Sequence, residues 1–159
     1  MKIGMVLFSH MGHTRQLGEA IQQGLEGDGH HVSLTALETQ GALNLSADFA
    51  AIQAVPLMED YDVFLLGSPV HGGRISAPMR SFLAETDGLE GKPCFPFVTH
   101  FFRRSWGADQ ALAEFTEKCS EKGGRILETC AVRWFSLQRK KHIQNAVQET
   151  IEVVNLQKG

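Results

Sequence analysis

Cysteine is scarce in this chain, and its spacing argues against two classes of small protein. Only Cys94, Cys119 and Cys130 occur among 159 residues, and no two of them form a Cys-x-x-Cys pair. Thiols this few and this far apart make neither a disulfide framework nor a zinc-binding pattern. We therefore expect three reduced thiols, no metal site and a cytoplasmic location.

A surplus of one charge and long apolar runs are also missing. The chain has 15 Lys and Arg against 18 Asp and Glu, a formal net charge of -3. This balance gives no basis for binding nucleic acid. No apolar run approaches the length of a membrane span, and no signal peptide is recognisable. The composition and length predict one globular domain over residues 1–159.

The first turn of the chain lacks the residues of several common phosphate loops. Its residues are Ser9, His10, Met11, Gly12, His13 and Thr14. It contains no Gly-Lys-Ser/Thr of a P-loop and no Gly-x-Gly-x-x-Gly of a dinucleotide site. It also lacks the thiol of a cysteine phosphatase and the acidic residues of a receiver domain. These four kinds of phosphate chemistry are therefore not expected here.

What the turn does have is its position between an apolar strand and a helix. Residues 2–8 form an apolar run, and apolar residues recur at helical spacing from Leu17 onward. Free backbone N–H groups and the positive end of a helix can bind a phosphate there. Ser9 and Thr14 add hydroxyl groups, and Gly12 allows close backbone approach. The alternative is an ordinary loop in which Thr14 caps the helix.

Apolar runs alternate with amphipathic segments along the rest of the chain. We predict strands at residues 2–8, 31–35, 61–67, 94–98 and 125–132, with helices between them and a last helix through residues 143–154. Residues 46–58 are either a weak helix or a loop. This order predicts a three-layer α/β/α sandwich with a five-stranded parallel sheet. Pro96 conflicts with a central strand, so we expect a bulge or a short strand there.

Three loops should meet at the carboxyl ends of these strands, where ligands of such sheets bind. The second is Ser68, Pro69, Val70, His71, Gly72 and Gly73, and the third contains Thr99, His100, Phe101, Phe102, Trp106 and Gly107. Its aromatic residues could stack on a flat ligand, pack on the core or form a dimer contact. Three convergent loops favour a cofactor site.

With these loops the chain resembles the flavodoxin-like proteins that bind flavin mononucleotide (FMN). The phosphate loop of that family resembles Ser-x-Thr-Gly-Asn-Thr, which Ser9, Gly12 and Thr14 match. Met11 and His13 depart from it and remove one hydroxyl and one amide, with His13 as a candidate replacement donor. Residues 61–83 are the closest match. The resemblance implies strand order 2-1-3-4-5, and an uninterrupted fifth strand is typical of the short-chain form.

The resemblance also implies a function, a cofactor and a set of binding residues. It implies a redox protein that holds FMN non-covalently in the three loops and needs no catalytic side chain of its own. The candidate binding residues are Ser9, His10, Met11, Gly12, His13, Thr14, Ser68, Pro69, Val70, His71, Gly72, Gly73, Thr99, His100, Phe101, Phe102, Trp106 and Gly107.

Three functions remain open at this point. The first is an electron carrier that works with a redox partner protein. The second is an NAD(P)H-dependent FMN or quinone reductase, since residues 79–89 are also similar to quinone reductases of the superfamily. The third is a flavin-free binding protein on the same fold. A homodimer is compatible with each of them.

Basic residues near the predicted site suggest an anionic partner. Arg103 and Arg104 lie in the third loop, Arg133 follows the fifth strand, and residues 139–141 begin the last helix. A basic rim around a flavin would suit an acidic protein, a nicotinamide dinucleotide phosphate or an anionic substrate. Solvated surface cations are the alternative.

Overall fold

A computed structural model describes residues 1–58 and 60–159 and contains twelve elements when a short irregular helical turn is included. The strands are β1 (Lys2–Leu7), β2 (His31–Ala36), β3 (Val63–His71), β4 (Arg74–Ile75), β5 (Pro93–His100), β6 (Arg125–Ile126) and β7 (Cys130–Arg133). The helices are α1 (His13–Gly27), α2 (Ala77–Glu85), α3 (Asp109–Glu121) and α4 (Arg139–Asn155), and an irregular turn spans Arg104–Ala108. Residues 46–58 form a loop rather than a helix.

The sheet has the expected parallel core. Its strands lie in the order β2, β1, β3, β5 and then β6 with β7, which is the predicted order 2-1-3-4-5. Register pairs Ile3 with Val63 and Leu66 with Pro96. The segments at the carboxyl ends of β3 and β5 therefore emerge at the same edge of the sheet, beside the turn after β1.

The prediction of an uninterrupted fifth strand is wrong, and Pro96 explains why. Residues 127–129 separate β6 from β7, although both pair with β5. Lys92 and Cys94 turn their carbonyls toward this neighbour, accepting from Arg125 and Leu127 at 2.8 and 2.9 Å. By the alternation of a parallel ladder Pro96 faces the same side, where it has no N–H to donate. The hydrogen-bond ladder opens opposite Pro96, so the interruption lies at residues 127–129 between β6 and β7 and not in β5 itself.

The loop predicted after the third strand is mostly β-structure. β3 runs on to His71, and β4 returns antiparallel to it, with Val70 opposite Ile75. Gly72 and Gly73 form the connection with φ of 58° and 77°. Positive φ at both central residues is what a type I′ two-residue hairpin requires, and glycine adopts it without strain.

Each face of the sheet is covered by a pair of helices. Val63 and Leu65 point toward the core under α1 and α4, while Phe64 and Leu66 point toward the core under α2 and α3. A strand buried on both faces must be apolar along its buried length, and residues 63–67 of β3 are. Cys94, Cys119 and Cys130 are free and buried, and burial raises the pKa of Cys94 and of Cys130 to about 12. Within the described residues, no helix combines the length and apolar character needed to cross a bilayer.

Candidate functional site

A cleft opens where the turn after β1 meets the ends of β3 and β5. It is open to solvent and spans about 350 Å³ when the space at its mouth is included. All of its lining residues belong to the predicted set: Ser9, His10, Met11, His13, Thr14, Pro69, Val70, His71, Thr99, His100 and Phe101. We call it the first cleft. Its lining contains no lysine, arginine or carboxylate, so it is suited to a ligand held by amides, hydroxyls and stacking.

The turn after β1 bends sharply at Gly12. This residue has φ of 89°, and a Cβ placed on it would meet nothing within 4 Å. The helix begins at His13, so the backbone N–H groups of His13 and Thr14 have no acceptor inside it. The open, left-handed glycine and these N–H groups leave room for an anion at the helix terminus.

Two hydroxyl groups of the turn have different roles. Ser9 Oγ accepts a hydrogen bond from the Arg15 N–H at 3.1 Å. Thr14 makes no cap bond, so the alternative interpretation of this residue is wrong. Its Oγ1 instead lies 2.8 Å from Thr99 Oγ1, and both side chains are buried. This hydroxyl pair ties the turn after β1 to the end of β5.

The β3–β4 hairpin forms one wall of the first cleft. Pro69, Val70 and His71 face the cleft. Behind them Ser68 is fully buried, accepts from the Ser76 N–H at 2.8 Å and anchors the start of α2. The hairpin turn itself packs on the turn after β5, because a Cβ on Gly107 would lie 3.1 Å from the Gly73 Cα. Ser68, Gly72, Gly73 and Gly107 therefore support the wall without lining it.

An aromatic cluster beside the turn includes two residues outside the predicted set. His13 stacks on Trp134 with ring centroids 4.7 Å apart, and Phe101 stacks on Phe135 at the same distance. Burial lowers the pKa of His13, and the Arg139 charge lowers it further. Trp134 and Phe135 directly follow β7 at the same end of the sheet. Their position at the carboxyl end of a strand is the sequence signal that could have placed them near the site. The ring of His13 thus packs among aromatic groups at the edge of the cleft.

Two further histidines line the first cleft as neutral rings. Burial lowers the pKa of His71, with smaller contributions from the nearby His10 and Arg80. Burial also lowers the pKa of His100, although its hydrogen bond to Phe102 opposes this. His100 Nδ1 lies 2.7 Å from the Phe102 carbonyl oxygen, which can only accept. Nδ1 therefore carries the proton, and Nε2 of the neutral ring is a free acceptor.

Two aromatic residues of the third loop lie outside the cleft. The side chains of Phe102 and Trp106 are 63% and 66% exposed, and neither lines the first cleft. The Arg103 guanidinium covers the Trp106 ring at 5.4 Å. Stacking of these rings on a ligand in the first cleft would need a different loop conformation.

Three arginines of the predicted basic rim surround a separate opening, whereas Arg139 of the same rim lies over the Trp134 ring beside the first cleft. Arg103, Arg104 and Arg133 line a second, wider and more open cleft, which shares the residue His100 with the first. None of the three lines the first cleft. These three side chains turn toward β7 and α4, but the charges of Arg104 and Arg133 still add to burial in lowering the pKa of His100 in the first cleft, so the basic rim stays a prediction.

The family of the chain follows from comparison with known proteins. The family described as NADPH-dependent FMN reductase matches residues 1–115, nearly three quarters of the chain. The chain belongs to the NADPH-dependent FMN reductase family. This membership confirms a flavodoxin-like redox protein and indicates a flavin cofactor.

Curated relatives of this reductase-family chain carry related names. A protein from Paraburkholderia phymatum named NAD(P)H dehydrogenase (quinone) is 30% identical over 95 residues, covering 55% of this chain and 48% of the relative. A protein of the same name from Azorhizobium caulinodans is 27% identical over 131 residues, covering 78% and 60%. The chain spans about half the length of the curated relatives it matches.

Solved structures confirm the fold of this family member. The flavodoxin, WrbA-like protein from Agrobacterium tumefaciens superposes with a TM-score of 0.76 at 16% identity, covering 98% of this chain and 96% of that one. A flavodoxin from the domain Archaea gives 0.69 at 18% identity with complete coverage of both chains. At these identities the likeness concerns architecture alone.

Proposed function

We propose that this chain holds FMN in the first cleft and oxidises NAD(P)H, passing the electrons to a quinone or another small acceptor. The observation that carries the proposal is the convergence of three loops on a cleft whose lining contains no lysine, arginine or carboxylate. Family membership supports the reductase over a carrier that depends on a second redox protein.

The residues present fit the phosphate of FMN. Gly12 leaves open space at the start of α1, and the N–H groups of His13 and Thr14 have no acceptor within that helix. Ser9 and Thr14 place hydroxyls beside them. Met11 is 63% exposed at the rim, so its replacement of a hydroxyl residue removes one donor without blocking the opening. Amides and hydroxyls suit a resident phosphate better than a transferred one.

The remaining walls fit a flat aromatic group. Pro69 and Val70 offer apolar surface on one side, and Phe101 offers an aromatic ring on the other. FMN supplies hydride and electron chemistry when bound. The chain's own residues bind and orient it, and the hairpin excludes water from one side. His100 Nε2 is placed to accept a hydrogen bond from a ligand N–H, and His71 is a second neutral ring in the same lining.

The first experiment is an absorption spectrum of the purified protein during titration with FMN. We expect flavin bands with quenched fluorescence, followed by steady oxidation of NADPH or NADH in the presence of a quinone. Slow pyridine-nucleotide turnover with fast oxidation by a partner protein would instead establish an electron carrier. A protein that never takes up FMN would refute the proposal and leave a binding domain on a redox fold. The cytoplasmic location stays a prediction of the sequence.

A further inference from the structure

The β3–β4 hairpin is too short to be held in place by its own hydrogen bonds. β4 has only two residues, and its Ile75 lies opposite Val70. In a two-residue hairpin the pair that flanks the turn, here His71 and Arg74, exchanges both backbone hydrogen bonds, and the next pair exchanges none. Ile75 therefore turns its N–H and its carbonyl away from β3, although the residue is fully buried.

Both backbone polar groups of Ile75 find their partners on neighbouring helices. The Ile75 N–H donates to Oε1 of Glu114, on α3, at 2.8 Å. Nη1 of Arg80, on α2, donates to the Ile75 carbonyl oxygen at 2.7 Å. A buried backbone group that loses its partner is costly, so these two bonds fix where Ile75 lies. The hairpin is thereby tied to both helices that cover this face of the sheet.

Two arginines hold the Glu114 carboxylate in its place. Its side chain is only 18% exposed, with Oε2 3.6 Å from Arg74 Nη2 and Oε1 3.9 Å from Arg80 Nη1. Arg74 also pairs with Asp48 at 2.7 Å. The cluster therefore contains two guanidinium groups and two carboxylates, so its charges balance. This balance keeps the Glu114 carboxylate ionised and directed at the Ile75 N–H.

The strand that Glu114 holds is the back of the first cleft. Val70 and His71 line this cleft, and Val70 lies directly opposite Ile75. The tip of the hairpin is supported separately, where Gly73 packs on Gly107. A displacement of Ile75 would therefore carry Val70 and His71 with it and change the width of the cleft.

We propose that Glu114 is a positioning residue of the FMN site, which sets the place of the hairpin wall through its bond to the Ile75 N–H. The inference rests on the proposed function, because that function assigns FMN to the first cleft. Glu114 does not line this cleft and acts only through the backbone of the hairpin. Its carboxylate has two separable properties: an oxygen that accepts from Ile75, and a charge that pairs with Arg74 and Arg80.

The first test is a fluorescence titration of the full chain with FMN in two variants. Glu114→Gln keeps an oxygen acceptor for the Ile75 N–H, and its FMN affinity should stay within about threefold of the parent value. Glu114→Ala removes the acceptor, and its FMN affinity should fall roughly tenfold or more. Both variants should lower the urea midpoint, because Arg80 loses its carboxylate neighbour in each. An affinity that follows the acceptor and not the stability is the mark of a positioning role.

The second test is amide hydrogen exchange in the chain without FMN, which needs neither cofactor nor turnover. Exchange of the Ile75 N–H should be roughly tenfold faster or more in Glu114→Ala and within about threefold of the parent in Glu114→Gln. Glu117→Ala is the matched control, since Glu117 is an exposed carboxylate one turn further along α3. This control should change neither the exchange of Ile75 nor the affinity for FMN.

Three results would overturn the inference. One is a Glu114→Ala protein that binds FMN as tightly as the parent, which would show that this bond does not govern the wall. Another is a Glu114→Gln protein that loses as much affinity as Glu114→Ala, which would assign the effect to charge. The third is an equal loss in Glu117→Ala. If the parent takes up no FMN, the proposed function fails, while the exchange of Ile75 still shows whether Glu114 fixes the hairpin.

Discussion

The two clefts share one histidine but are built from different kinds of group. The first is lined by hydroxyls, imidazoles and apolar side chains, with no lysine or arginine. The second is lined by three arginines around the end of the last strand. Backbone amides and hydroxyls are fixed by the fold itself, whereas arginines at a surface can change without disturbing it. We infer that flavin binding depends on backbone and hydroxyl groups that the fold fixes, whereas the ligand of the second cleft is selected by its surface side chains.

Arginine 80 gives the largest expected contrast between the two regions. It is only 3% exposed behind the first cleft and donates to the carbonyls of Ala47, Asp48 and Ile75. Arg80→Met should lower the free energy of unfolding by about 3 kcal/mol, because the buried Ile75 carbonyl, two partly buried carbonyls and the nearby Glu114 lose their partner. Arg104→Gln, at the exposed second cleft, should change it by less than about 0.5 kcal/mol. Urea denaturation measures both, and equal losses would contradict the comparison.

Glycine 107 should give the next largest effect, through the wall of the first cleft. Its φ is 124°, and a Cβ would lie 3.1 Å from the Gly73 Cα. Gly107→Ala should lower the free energy of unfolding by about 2 kcal/mol and weaken FMN binding, because the hairpin must move away. Gly72→Ala is the control: its φ is 58° and its Cβ would meet nothing, so about 1 kcal/mol is expected. A Gly107→Ala protein as stable as Gly72→Ala would show that the contact is not limiting.

Much of this architecture could be predicted because its signals are local. Apolar runs located β3 and β5, and the amphipathic spacing of Ala111, Phe115 and Cys119 located α3. The three loops of the first cleft followed from the alternation of strands and helices, which predicts a parallel sheet with its ligand site at the carboxyl ends of the strands. What the sequence concealed depends on neighbours: Pro96 interrupts the strand beside it rather than its own, and Trp134 enters the cluster only because α1 and β7 are adjacent.

One missed feature did have a local signal. Gly72-Gly73 between Val70 and Ile75 is the pattern of a two-residue hairpin, but the proline, the glycines and the few charges of this segment favoured a loop. The direction in which the Arg103 and Arg104 side chains point had no local signal in the sequence. It is set by the irregular turn after β5, where Gly107 departs from helical geometry. Such a departure is selected by packing on Gly73 and leaves no periodic trace in the sequence.

The hydroxyl pair of the first cleft should give an intermediate effect that separates folding from binding. Thr14→Val leaves the buried Thr99 hydroxyl without its partner and should destabilise the protein by about 1–2 kcal/mol. Thr14→Val with Thr99→Val should cost less than the sum of the single changes, because both polar groups are removed together. FMN affinity should stay low in the double variant if Thr14 serves the phosphate. Additive losses of stability in a denaturation cycle would show that the two hydroxyls are not coupled.

The smallest expected effect is the response of stability to pH through His100, the residue common to both clefts. Burial lowers its pKa in the folded chain below the ordinary value, and Arg104 and Arg133 lower it further against the opposing hydrogen bond to Phe102. The unfolded chain therefore binds more protons between the folded pKa and about 6.5, so stability is full above that value and falls as the pH drops below it. His100→Asn and His100→Gln keep a side-chain donor but cannot titrate, and both should lose less stability than the parent between pH 7.5 and pH 5.5. Denaturation curves at the two pH values test this, and an undiminished loss in both variants would mean that another group governs the acid response.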